Sequence, residues 1–365
     1  MRIGIIHGAF TSLGGAERVA ISLIKSLKDE GHEINIYFTD TMSNETLEDV
    51  FGNFLTEVKV HKVFQLKIPI FGIYRNILNR MLLTNAGDKN DVIIETSGYL
   101  DPLWFTSKPY IAYCNGLATL SSQKITNYGG WRKLYGYAYS KLYALARSRT
   151  KYVTIVSNSK YTQELVKKIV GIDSQVIYPP VEINLFKFER VKTEPKILML
   201  SRFAPEKNYE LAVKIAELLS DQRFIFAGSV GDPHYYEKLN QSIAEKGISQ
   251  RIEFVPNAPV DVLRRILSEA KVYLHCRYDE PFGITVVEAI AAGCIPIVPD
   301  RSAHKETVPF EELRFSTLEE AIEKVKSAME GLYDTLVPKL QEHINQFDEK
   351  TFRDKMRKLI ESKSA

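Results

Sequence analysis

Two carboxylates, Glu280 and Glu288, stand in "DEPFGITVVEAIAAGCIPIV", a stretch that otherwise reads as core. Two cations, Arg202 and Lys207, stand in "LSRFAPEKNYEL". A carboxylate accepts hydrogen bonds from two hydroxyls at once, which suits a ligand that presents hydroxyl groups. An arginine fork grips two phosphate oxygens and a lysine acts as a point charge. Fixed cations of this kind suit an anionic ligand, most of all one whose charge grows during a reaction. Spacing alone leaves plainer readings open. Glu280 could be a solvated loop residue, Glu288 a glutamate that complements a helix dipole, and the R-x4-K pair a solvated loop pair.

The elements around these residues decide how they are presented. The residue before a proline is pushed away from helical geometry, so Pro281 places Glu280 in a loop at a strand end. Phe282 and Gly283 lead into a helix over "ITVVEAIAA", closed by Gly293. Glu288 lies inside that helix, and "CIPIV" reads as the next buried strand. The backbone N–H groups near Phe282, Gly283 and Ile284 lack intrahelical acceptors and can meet a ligand. Arg202 and Lys207 follow another strand, "KILMLS".

The N-terminal run has the same layout. Ile3–Ile6 reads as a buried strand, with His7 at its end and Gly8, Gly14 and Gly15 in the loop that follows. Ala16, Val19, Ala20, Leu23, Ile24 and Leu27 recur at helical spacing, Gly31 is a stop, and Ile34–Phe38 is the next strand. Gly14 and Gly15 sit where backbone can approach an anion, although neither G-x-G-x-x-G nor a P-loop is present and Glu17 opposes anion binding. A tight strand-to-helix turn is the competing reading.

At 365 residues the chain is too long for one ordinary core. Further strands are expected at Val92–Glu95, Tyr110–Tyr113, Tyr152–Val156, Gln175–Tyr178, Arg223–Gly228 and Lys271–Cys276. Pro179 and Pro180 interrupt the alternation, which then restarts. The expected fold class is α/β, with two doubly wound Rossmann-like domains facing a cleft. Their expected bounds are 1–178 and 195–348, with a linker over 179–194. A final helix over 349–365 carries Phe352, Met356, Leu359 and Ile360 on one face.

With 45% apolar and 25% charged residues the composition is that of a folded soluble protein. No signal peptide and no spanning helix are read, and three scattered cysteines form no zinc pattern, so the expected location is cytoplasmic. Asp101–Lys168 holds eleven Lys/Arg against two Asp/Glu, so the basic excess belongs to the first half. Trp131–Lys151 and His61–Leu83 mix aromatic or apolar residues with basic ones. They suit a peripheral seat at an anionic membrane surface, and a core helix with a basic solvent face is the alternative. No recognition motif accompanies the charge, so no nucleic acid is expected.

"EPFGITVVEAIAAGCIPIV" resembles the E-x7-E signature of family 4 retaining glycosyltransferases, which have the GT-B fold. "HGAFTSLGGAERVA", "VIYPPVEINLF" and "SRFAPEKN" resemble that family's glycine loop, interdomain linker and diphosphate-binding motif, in register over nearly the whole chain. Within it, the His7 loop and "GGAER" are most similar to dolichol-pathway mannosyltransferases and archaeal relatives. The resemblance implies hexose transfer, with mannose a candidate sugar, from a GDP- or UDP-linked sugar to a glycan or lipid-linked acceptor. It implies that Glu280 contacts sugar hydroxyls, Glu288 the ribose, the Phe282–Ile284 amides the sugar and phosphates, and Arg202 and Lys207 the diphosphate. The final helix would cross back to the N-terminal domain. Gly14 and Gly15 would touch the donor phosphates or the acceptor. His7, at the end of the first strand, either faces the acceptor or is a structural histidine.

No metal and no other cofactor are expected, because D-x-D is missing and Arg202 and Lys207 supply the positive charge. Two departures stand out. Asn115 occupies the place of the family's N-domain histidine, and "PDRSAHKE" replaces a Gly-Gly pair, which bears on contacts around Ser302 and His304. His275 reads as a strand-end packing residue. A GT-B nucleotide-sugar epimerase and a non-catalytic glycosyltransferase-like subunit are the alternative functions.

Overall fold

The computed structural model describes residues 1–7, 14–38, 58–63, 89–98, 108–116, 153–187 and 195–364. The basic stretch Trp131–Lys151 and nearly all of His61–Leu83 lie outside them. The chain divides into two compact units, Met1–Pro180 with Lys350–Ala365, and Val181–Glu349. Among the described residues no helix is long and apolar enough to cross a membrane.

The first unit is built on β1 (Arg2–Ile6), β2 (Glu33–Phe38), β3 (Lys59–Lys62), β4 (Val92–Glu95), β5 (Tyr110–Cys114), β6 (Val153–Ser157) and β7 (Gln175–Val176). They pair in parallel in the order β3-β2-β1-β4-β5-β6-β7. Ile3, Ile5, Val92, Ile94 and Ile111 are fully buried, as strands covered on both faces require. The helix Gly15–Asp29 buries Val19, Ala20, Leu23, Ile24 and Leu27 on the same core. Gly31 takes the left-handed conformation, φ 78°, just past its end. The helix Glu349–Ser364 returns to this core. Phe352, Met356, Leu359 and Ile360 are buried in it, with Phe352 edge-on to Tyr113 at 5.9 Å.

The second unit repeats the plan with β8 (Lys196–Leu200), β9 (Phe224–Gly228), β10 (Ile252–Pro256), β11 (Ala270–Leu274), β12 (Ile295–Pro299) and β13 (Arg314–Phe315). The order is β10-β9-β8-β11-β12-β13, again parallel. In such a sheet the strand order reverses between β8 and β11, and the loops after those strands open a crevice. Val181–Lys187, inside the expected linker, is built into this unit. Val181 bridges to Asp348, and Ile183 and Phe186 are buried. The edge strands β3 and β13 had no counterpart in the sequence reading. β3 carries two lysines and a histidine in four residues, and β13 has two residues, too few for a period.

Candidate active site

The β8 loop begins at Ser201 and carries Arg202 and Lys207. Asn208 ends it in the left-handed region, φ 56°, which asparagine tolerates, and its amide donates to the Cys276 carbonyl at 3.2 Å. That bond ties the β8 loop to the β11 loop across the switch point. Tyr209 adds a brace, its hydroxyl 2.7 Å from the Ser201 carbonyl oxygen and 3.1 Å from that of Ala227.

The β11 loop carries Glu280, which is buried. Lys207 Nζ donates to its Oε2 at 2.9 Å, and both side chains are almost covered, 14% and 9% exposed. His275 Nε2 lies 3.5 Å and Arg277 Nη1 3.7 Å from the same oxygen. Burial alone would raise the Glu280 pKa. The Lys207 charge, helped by His275 and Arg277, outweighs it and holds the carboxyl well below the usual carboxylate range. A carboxylate so stabilised is a weak base and a weak nucleophile. It remains a good acceptor for hydroxyl donors.

His275 and His304 back this carboxylate. Both are buried, their rings 4.7 Å apart and edge-on. The Arg277 N–H donates to His275 Nδ1 at 3.3 Å, which puts the proton on Nε2, the atom facing Glu280. His304 Nε2 lies 3.1 Å from the Arg277 carbonyl oxygen and donates to it. Burial pushes the pKa of His275 well down and that of His304 to about 4, so both are neutral at pH 7. His275 is thus more than packing, since it touches Glu280. Its signal in the sequence was a polar residue at a strand end one loop before the carboxylate.

Gly283 adopts φ 89° at the start of the helix Ile284–Ala291, a conformation that excludes most side chains, and a Cβ there would lie 3.1 Å from Val286 Cγ2. The first helical N–H groups, at Ile284 and Thr285, have no intrahelical acceptor. The Phe282 side chain points into the core, edge-on to Phe347 at 5.2 Å. Glu288 is buried one turn into the helix. Tyr273 links the parts. Its hydroxyl lies 2.9 Å from the Leu200 carbonyl oxygen and 2.7 Å from Thr285 Oγ1. Burial raises its pKa well above the usual range against the Thr285 bond, and the charges of both Glu280 and Glu288 add to the rise.

Arg202 is half exposed, with Nη2 2.6 Å from Glu206 Oε1. Behind β12, Ser302 stands where the family resemblance expects glycine, and its φ is 58°. A non-glycine residue is strained there. Ser302→Gly is expected to raise stability by about 0.5 kcal/mol after the entropy cost of glycine is deducted, measured by urea unfolding. An unchanged or lowered stability would contradict the strain.

In the first unit, His7, Thr96 and Asn115 lie at the ends of β1, β4 and β5. His7 is buried, its Nδ1 2.9 Å from Thr96 Oγ1 and its Nε2 3.7 Å from Glu17 Oε1. The Asn115 side-chain amide donates to the Thr96 carbonyl at 2.8 Å, so one of its N–H donors is engaged by the end of β4. Gly14 caps the helix that Gly15 begins, without a side-chain cap. Glu17, in the first turn of that helix, faces His7. Among the described residues no group of three or more His, Cys, Asp or Glu is placed to hold a metal ion.

Two doubly wound parallel domains of this kind are the architecture of the GT-B fold. A crystal structure of Anabaena Alr3699/HepE in complex with UDP and glucose superposes with a TM-score of 0.77 at 17% identity, covering 99% of this chain and 100% of that one. The family model "Glycosyl transferases group 1" matches residues 181–362, and "Glycosyltransferase Family 4" matches residues 13–185. The chain belongs to the family 4 glycosyltransferases. It is 29% identical to a GDP-Man:Man(3)GlcNAc(2)-PP-Dol alpha-1,2-mannosyltransferase of Dictyostelium discoideum, over 98% of this chain and 84% of that protein. It is 31% identical to the Mus musculus protein of that description, over 44% of this chain and 36% of that one.

Proposed function

We propose that this glycosyltransferase moves a hexose, mannose by kinship, from a GDP-linked sugar to a lipid-linked glycan, with retention of configuration and without a divalent ion. The observation that carries the reading is the Lys207–Glu280 pair beside Arg202 at the switch point. Glu280, held as a weakly basic carboxylate, accepts donor-sugar hydroxyls and does not act as nucleophile. Glu288 accepts the ribose hydroxyls. The N–H groups opening at Ile284, with Phe282 and Gly283, meet the phosphates. Arg202 and Lys207 oppose the charge that grows on the leaving diphosphate, the task a metal would otherwise perform. Lysine has three donors, so Lys207 can hold Glu280 and a phosphate together. His7, Asn115, Gly14 and Gly15 line the acceptor side in this reading. A phosphate oxygen of the leaving group takes the acceptor proton on the face where the acceptor attacks, which retains configuration. The mannosyltransferase kinship supports GDP-mannose over a UDP sugar.

The test is release of GDP from GDP-mannose, with and without a lipid-linked oligosaccharide, in EDTA throughout. Acceptor-dependent release with an α-linked product is expected. Activity that vanishes in EDTA and returns with manganese would overturn the metal-free part, and release from UDP sugars alone would overturn the donor.

The two glutamates separate by ligand. Glu288→Ala is expected to weaken GDP binding about 10- to 100-fold, the worth of hydrogen bonds to a charged group. Glu280→Ala should leave GDP affinity unchanged or improved, since Lys207 loses its competitor, while GDP-mannose loses a similar factor. Calorimetry with GDP and GDP-mannose checks this. Equal losses for both ligands in Glu280→Ala would contradict its sugar role.

A further inference from the structure

The loop after β9, "GSVGD", is laced onto the β8 loop by backbone. The Phe203 N–H donates to the Ser229 carbonyl at 2.8 Å, the Asp232 N–H donates to the Phe203 carbonyl at 3.0 Å, and Phe203 bridges to Val230. Two glycines in it approach the β8 loop in different ways. Gly228 has φ 145°, and a Cβ there would lie 1.8 Å from the Ser201 carbonyl oxygen, a collision with backbone. Gly231 is not in the left-handed region, so alanine meets no backbone strain there. A Cβ at Gly231 would instead lie 2.5 Å from Arg202 Cδ, 2.6 Å from its Cγ and 3.1 Å from its Nε.

Those atoms are the middle of the arginine stem. A small shift of the guanidinium does not clear them, and the whole side chain has to leave its rotamer. At the far end, Glu206 Oε1 holds Nη2 at 2.6 Å. Arg202 is thus fixed at two points, its stem against a bare Cα and its head against a carboxylate, although its side chain is half exposed.

We propose that Gly231 is a positioning residue for Arg202: its missing side chain leaves the groove in which the arginine stem lies, and so aims the guanidinium at the donor diphosphate. The inference rests on the reading of Arg202 as a diphosphate ligand. Gly231 itself touches no reacting atom in this account. Its effect passes through Arg202, and that coupling is measurable.

The test is a double-mutant cycle read by calorimetry with GDP, and in parallel with UDP, on the full chain: wild type, Gly231→Ala, Arg202→Ala and the double variant. Gly231→Ala is expected to weaken diphosphate binding about 10-fold, at the low end for losing a charged hydrogen bond. In the Arg202→Ala background the same change should cost nothing further. Urea unfolding separates position from folding, because Gly231→Ala should keep the wild-type midpoint while Gly228→Ala lowers it. Wild-type affinity in Gly231→Ala, an equal loss in both backgrounds, or a midpoint as low as that of Gly228→Ala would each overturn the proposal. If the wild type binds neither GDP nor UDP, the donor reading fails and takes this inference with it. If the wild type binds and Gly231→Ala binds as well, only the inference fails.

Discussion

Lys207→Ala is expected to cut GDP release from the donor sugar by about 100-fold or more and to destabilise the second unit by about 3 kcal/mol. Both effects come from one atom. Nζ faces the leaving diphosphate in the proposed chemistry and is the hydrogen-bond donor 2.9 Å from the buried Glu280. Removing it strands a carboxylate whose remaining cation, Arg277, is 3.7 Å away, which puts the stability cost at the low end for breaking a buried pair. The pH dependence has a definite sign. The folded pKa of Glu280 lies below its ordinary value of 4.5, so its stabilising contribution is complete above about pH 4.5 and is lost as pH falls through the folded value. Without Lys207 the folded value rises, and acid unfolding of the variant should begin at higher pH. Arg202→Ala is the contrast. Its partner Glu206 is itself exposed, so turnover should fall by a similar factor while stability stays within about 0.5 kcal/mol. Turnover assays with urea unfolding at several pH values check all of this. Full activity in Lys207→Ala would remove it from the mechanism.

Truncation after Glu349 should unfold the first unit and spare the second. Phe352, Met356, Leu359 and Ile360 would leave a core they share with Ile3, Val19, Leu23, Val92 and Ile111. Each large-to-small core change costs about 2–5 kcal/mol, and four together, about 8–20 kcal/mol, are as large as the roughly 5–15 kcal/mol that typically holds a domain. The cut keeps Asp348, whose bridge to Val181 belongs to the second unit. Hydrogen exchange should therefore show lost protection in β1, β4 and β5 and retained protection in β8, β11 and β12. Protection lost in residues 181–349 alone would contradict this packing.

Local rules carried much of the fold into the sequence. Short apolar runs read as buried parallel strands because both faces of such a sheet are covered, and Ile3–Ile6, Val92–Glu95 and Lys196–Leu200 are strands. Gly31 and Gly293 ended helices because only glycine takes their positive φ without strain. Pro281 kept Glu280 out of the helix that holds Glu288 for an equally local reason. The edge strands β3 and β13 left no such trace, since a short edge strand needs neither an apolar run nor a period.

Tertiary structure decided the partners. Nothing near Glu280 in sequence points to Lys207, 73 positions away. They meet because β8 and β11 are parallel neighbours and both loops leave the sheet at the same edge. The same pairing brings His275 to Glu280 and His304 to His275, although His304 follows β12 and nothing near it in sequence points to His275. Gly231 shows the limit most plainly: its sequence neighbours suggest a turn, and its place beside Arg202 follows from the pairing of β8 with β9. Conformation at one residue is set by its own atoms and those of its neighbours, so it can be read along the chain. Charge neutralisation and steric fit depend on which strands lie side by side, so the sequence alone determined where the functional groups could stand and the sheet order determined what each one faces.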